Sequence, residues 1–391
     1  MELKVEDRLI LSCIKLNPTS NELEQINDLI PDIQDWDYLV STIIDRGIGP
    51  LLYKKLPLLT NHSLVPEDIQ LKLKQAYYKT FSRSTILYDT FRKIAEAFND
   101  QNIPVITLKG IYLSEWLYQD IGLRQFSDID LLVKEEDGDK CLDILSSLGY
   151  VPNEFKVSEI VRKNTEMVHY PAMICNGALI EIHTKLHKKT ELYDLNVDEL
   201  WKNSLQTNVN SVSVLTLNSN DLLIHLCLHL DKHFCSGHVQ FTCFCDITNL
   251  LDKLAEIIDW KKFTDSCLLY NCENIVFKYM VLVHTYMNAP VPDSIIQKYK
   301  YLLTEKDEQL FCKYLKGYSA EKSNIPTHLV NFKQLLTFSD KVKYISGVFF
   351  PPKALMIQIY QIKHSSLIPF YYPYRYYCGL KWMINRLLGK R

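Results

Sequence analysis

The segment Arg124-Gln-Phe-Ser-Asp-Ile-Asp-Leu-Leu-Val133 carries the reading on which the fold turns. Ile129 to Val133 is a short aliphatic run of the kind that forms strands. Side chains alternate between the two faces of a strand, so Asp128 and Asp130 share one face and Ile129 points to the other. Two carboxylates side by side repel and raise one pKa unless a cation neutralises them, and a hard divalent ion does this best. Magnesium or manganese fits such a pair; zinc, without nitrogen or sulfur ligands, fits poorly.

Working outward, Ile103-Pro-Val-Ile-Thr-Leu108 predicts a strand, Lys109-Gly110 a tight turn, and Tyr112 to Gln119 a helix. A helix from about Glu135 to Leu148 closes on Gly149, suited to a left-handed cap. Glu166 to Ile174 and Leu179 to His183 read as strands joined by Cys175-Asn176-Gly177-Ala178, and Asn-Gly is a strong hairpin signal. On the return strand Leu179, Glu181 and His183 share a face, so a neighbouring strand can bring Glu181 to Asp128 and Asp130. Phosphoryl transfer needs such a cage, because two metal ions about 4 Å apart can activate the attacking oxygen and stabilise the leaving one. Backbone N–H groups at the Lys109-Gly110 turn favour a phosphate, and Lys109 adds a charge for it. Arg124 could fork onto phosphate oxygens and Ser127 donate a hydroxyl bond. The competing reading makes Asp128 a strand cap, Asp130 and Glu181 solvated face residues, and Arg124 and Ser127 ordinary surface or capping residues.

The flanks are helical. Ile69, Leu73, Tyr77, Phe81, Leu87, Phe91, Ile94 and Phe98 lie at helical spacing before the strands. After them, Asn220 or Asp221 is placed to cap a helix through Leu222 to Leu230, and helical spacing continues to about residue 345. The chain has 391 residues, 47% hydrophobic and 23% charged, enough for a sizeable core. A net charge of −2 supplies no whole-protein field for a long nucleic acid. The eleven cysteines are scattered, odd in number and without a Cys-x-x-Cys pair, which suits reduced thiols. No basic-then-apolar leader and no spanning apolar run occur, so a cytoplasmic protein is expected.

Three further features compete with ordinary packing. His225, His229 and His233 recur every fourth residue with His238 close behind, an arrangement that suits interdomain hydrogen bonding, phosphate contact by His229 and Lys232, or a metal. Cys235, Cys243 and Cys245 suit burial as small hydrophobes better than metal binding. Residues 352–391 hold no acid but carry Lys353, Lys363, Arg375, Lys381, Arg386, Lys390 and Arg391 among tyrosines, for packing, base stacking or a membrane surface.

Leu108-Lys-Gly110, Arg124-x-x-Ser-Asp-Ile-Asp-Leu-Leu-Val133, Leu148-Gly-Tyr150 and Leu179-Ile-Glu-Ile-His183 together resemble the bacterial family of uncharacterised nucleotidyltransferases, within the DNA polymerase β-like superfamily. The likeness extends into Leu222 to Leu251. It implies transfer of a nucleoside monophosphate from a nucleoside triphosphate, with Asp128, Asp130 and Glu181 as metal ligands and Gly110 near the triphosphate. The wider superfamily has Gly-Ser in the turn, whereas Ile111 follows Gly110 here and Asp128 lies 18 positions beyond it. Lys109, Ser114 or Arg124 could stand in for that serine, or the site could have lost catalysis.

The expectation is therefore an α+β protein with a helical region (1–97), a nucleotidyltransferase core on a small mixed sheet (98–215) and a C-terminal helical region with a basic, tyrosine-rich tail (216–391). The expected cofactors are Mg²⁺ or Mn²⁺ and a triphosphate donor, ATP. One ion bound by all three acids would activate an acceptor hydroxyl, and a second, bound by Asp128 and Asp130, would hold the triphosphate. Rival readings are a non-catalytic nucleotide- or partner-binding protein on the same fold, and a peripheral RNA- or membrane-binding protein.

Overall fold

The computed structural model describes residues 3–152, 168–187, 193–236, 239–317, 356 and 365–387. Four short helices, α1 (Val5–Ser12), α2 (Ser20–Leu29), α3 (Trp36–Asp45) and α4 (Gly49–Lys55), lead into the 34-residue α5 (Glu67–Asp100). Thr19 and Glu22 form a capping box at the start of α2, and Asp35 caps α3 through Tyr38 N–H. Along α5 the buried stripe runs Ile69, Leu73, Tyr77, Thr80, Ser84, Leu87, Phe91, Ile94 and Phe98. Phe81, expected in that stripe, is exposed: at 3.6 residues per turn the face passes through Thr80 and Ser84 instead.

Strand β1 (Ile106–Thr107) follows, then α6 (Lys109–Trp116), β2 (Asp128–Leu132), α7 (Gly138–Ser147), β3 (Val151–Pro152), β4 (Met173–Cys175) and β5 (Ala178–His183). Two residues of the expected Ile103–Leu108 strand are paired as strand, because Pro104 has no N–H to give and Ile103 N–H is spent on Phe98 O at the end of α5. Gly149 ends α7 in the left-handed region, at φ +88. Asn176 and Gly177, both at positive φ, make the β4–β5 turn, while Glu166 and Met167 of the expected first strand lie outside the described residues.

Next come α8 (Val197–Lys202), β6 (Leu205–Val209), β7 (Val212–Thr216) and α9 (Ser219–Ser236). The cap of α9 is Asn218, whose Oδ1 accepts from Asn220 and Asp221 N–H, so the helix starts before the two expected caps. Helices α10 (Thr242–Leu254), α11 (Trp260–Leu269), α12 (Glu273–Met287), α13 (Asp293–Tyr299), α14 (Glu305–Leu315) and α15 (Ile368–Leu387) complete the described chain. The expected helical spacing over 318–345 and His238 fall outside it.

The protein is α+β, with one mixed sheet in the order β3-β4-β5-β2-β1-β7-β6 and helices on either side in sequence. At its centre β2 runs parallel to β5 and antiparallel to β1. Burial on both faces explains the unbroken Leu131, Leu132 and Val133 run. One contiguous apolar cluster joins Leu9 of α1 to Leu315 of α14, so the sheet and helices share a core. Among the described residues no helix is long and apolar enough to cross a membrane.

Candidate active site

The parallel pairing sets Asp130 directly beside Glu181 and Asp128 beside Leu179. Register partners share a face, so the period-2 pattern of two separate segments converges on one cavity of about 270 Å³. Asp128, Asp130 and Glu181 line it, together with Lys109, Gly110, His183 and His225. Leu108 N–H donates to Asp130 O at 3.1 Å, which pins the turn after β1 against the acid strand. Lys109 there has φ +41, a costly conformation for a residue with a Cβ, and such strain concentrates at functional sites.

Charge is balanced within the cavity. Lys109 Nζ lies 3.1 Å from Asp130 Oδ2, and His183 Nε2 lies 2.9 Å from Asp130 Oδ1 and 3.5 Å from Glu181 Oε2. Burial pushes the Asp130 carboxyl upward, but Lys109 and His183 override it and hold the group well below the usual carboxylate range. His183 hydrogen bonding lowers Glu181 against its burial. Asp128 is raised by burial and then by Asp130, with Lys109 opposing. Burial disfavours the charged form of His183, yet its bonds to Asp130 and Glu181 leave its pKa above the ordinary imidazole value.

Helix α9 forms the facing wall with His225, His229, Lys232 and His233. His229 lies 6.2 Å from His225 and 4.5 Å from His233, ring to ring. Burial, and after it the charge of Lys109, drives His225 down to about 3, so this imidazole is neutral. Its Nε2 is buried without a hydrogen-bond partner, a cost a ligand in the cavity would remove.

Of the other candidates, Arg124 and Cys243 border the cavity and the rest of those described lie outside it. Arg124 borders the cavity, but its Nε and Nη2 donate to Asp246 Oδ1 and Oδ2 of α10 at 2.8 and 2.6 Å, and Tyr118 also donates to Asp246. Ser114 is buried on α6 away from the cavity, and Ser127 is exposed beside a separate cleft with Gly47 and Gln125. Cys243 and Cys245 are buried and Cys235 is exposed. Of the basic C-terminal residues, Lys353, Lys363, Lys390 and Arg391 lie outside the described residues, and Lys381 and Arg386 are placed in α15 by backbone alone. Sequence reasoning left His183 out of the candidate set, although strand alternation had already put it on the face of Glu181. Asp246 carried no local signal, because its contact with Arg124 spans 122 positions.

The model of the family described as "Uncharacterised nucleotidyltransferase" matches residues 32–288. No curated protein matches the chain. Among solved structures, "Solution Structure of Antibiotic-Resistance Factor ANT(2'')-Ia Reveals Substrate-Regulated Conformation Dynamics" is similar over 52% of this chain and 99% of that one, at 12% identity and a TM-score of 0.35. A likeness that slight carries nothing about the site.

Proposed function

Because the chain belongs to the family of uncharacterised nucleotidyltransferases, and is thus a nucleotidyltransferase, we propose that it transfers a nucleoside monophosphate from a nucleoside triphosphate, ATP, to a hydroxyl of a small molecule, peptide or protein and releases pyrophosphate. The observation that carries this reading is the register of β2 and β5, which brings three carboxylates to the cavity that Lys109 also lines.

The donor set fits a divalent ion: Asp128, Asp130 and Glu181 would offer it carboxylate oxygens, which Mg²⁺ needs and Mn²⁺ accepts. Bound there, such an ion would supply positive charge to phosphate oxygens and to the leaving group. The chain's own residues do the positioning. Lys109 brings a fixed positive charge beside Asp130, and the α6 N-terminus adds backbone N–H groups for an anion. His229 and Lys232 line the opposite wall, where they would meet phosphate oxygens, and the acceptor would enter between the sheet and α9. The acceptor hydroxyl gives up its proton to solvent and its oxygen bonds to the α-phosphorus, as the bond from that phosphorus to the bridging oxygen breaks and its electron pair leaves with pyrophosphate.

The test is incubation with each labelled nucleoside triphosphate, Mg²⁺ or Mn²⁺ and a cell extract, with mass analysis of whatever gains a nucleotide. Asp130→Asn should lower transfer by about a thousandfold or more in protein that still folds, with the melting temperature measured alongside because the change leaves Lys109 without its charged partner. Wild-type transfer by the folded variant overturns the assignment. A second reading, nucleotide binding without turnover, draws on Ile111, which is fully buried and offers no hydroxyl after Gly110. ATP binding with no pyrophosphate release would favour it.

A further inference from the structure

The three acids are not the only donors aimed at the centre of the cavity. His183 ends β5 two residues beyond Glu181, on the same face, and its Nε2 approaches both Asp130 and Glu181. One ligand atom from each of Asp130, Glu181 and His183 lies within 4.8 Å of the others. Two donors lying opposite each other on one ion reach nearly that separation, at bonds of about 2.0–2.4 Å. A histidine that merely orients one carboxylate needs one partner, whereas this nitrogen faces two. Independently, the unpartnered Nε2 of buried His225 in the same cavity marks a space built for a ligand.

We propose that His183 Nε2 is itself a metal donor, completing with Asp130 and Glu181 a mixed nitrogen–oxygen position that prefers Mn²⁺ to Mg²⁺. The inference rests on the proposed function only in taking a divalent ion to bind this cavity. Imidazole nitrogen suits first-row transition ions, while Mg²⁺ keeps to oxygen and water, so one nitrogen donor shifts selectivity towards manganese. Asp128 stands outside this group.

The experiment loads the full-length protein with Mn²⁺ alone, without nucleotide, and looks for ¹⁴N coupling to the metal by pulsed electron paramagnetic resonance. Coupling is expected in the wild type and in His169→Gln, whose ring is 5.3 Å from His183. It is expected to vanish in His183→Gln, with Mn²⁺ affinity falling about tenfold or more and Mg²⁺ affinity changing less than about threefold. No nitrogen coupling in the wild type, its loss in His169→Gln, its persistence in His183→Gln, or an equal loss of affinity for both ions overturns the proposal. Should His183→Gln fail to fold, His225→Gln decides: coupling retained there supports the proposal, and its loss overturns it. Nitrogen-coupled Mn²⁺ without nucleotide transfer would retain this inference and overturn the proposed function.

Discussion

Gly110 illustrates how one residue can serve two ends. A Cβ built on it would lie 3.0–3.1 Å from Phe126, so the glycine lets that ring close over the turn two residues before Asp128. Gly110→Ala should move Phe126 and the acid strand, costing about 1–3 kcal/mol of stability and about tenfold or more in transfer, measured by thermal melting and initial rates. Lys55 is a different case: it is 3% exposed beside Cys13 and Cys245, and burial lowers its pKa from 10.5 to about 8. Below that value the folded state must bury a charged lysine. Between about 8 and 10.5 the unfolded chain holds more proton, so stability rises with pH there. Lys55→Met should therefore stabilise the protein by about 2–3 kcal/mol below pH 8, an advantage that shrinks towards pH 10.5 in denaturant titrations.

Elements are joined by polar contacts the local sequence does not announce. The bidentate ion pair between Arg124, in the segment leading to β2, and Asp246, in α10, is buried at both ends and ties the acid strand to the helical wall. Removing one partner leaves an uncompensated charge, so Asp246→Ala should cost about 3–5 kcal/mol in chemical denaturation. An unchanged midpoint would show that the pair contributes nothing. The β6–β7 hairpin has the same character at larger scale: it completes the sheet beside β1, and its partner for Ile106 and Thr107 lies more than a hundred positions downstream. Proximity of Lys109 to Asp130 depends on β1 pairing with β2, which neither strand specifies alone.

Among the described residues, the main core runs from Leu9 to Leu315, whereas α15 contributes Ile368, Tyr371 and Tyr372 to a second, small cluster with Met356. Leu367, Phe370, Tyr374 and Tyr377 remain exposed at spacings of three and four. Truncation after residue 364 should therefore shift the melting temperature of the remainder by less than about 2 °C, and a larger loss would show that the tail carries part of the core's stability. By itself the sequence determined the α+β class, the strand face shared by Asp128 and Asp130, the Asn176-Gly177 turn and the position of Glu181 on its return strand. Those features follow from periods of 2 and 3.6 and from backbone conformations that few residues adopt, all of which act within a dozen positions. Only the tertiary structure decided that β2 and β5 are parallel neighbours in register, that His183 joins their acids, that Arg124 is committed to Asp246, and that the α9 histidines face the same cavity. The physical reason is that strand pairing and buried charge are satisfied across long sequence separations, where the free energy belongs to the shared core and not to any one segment.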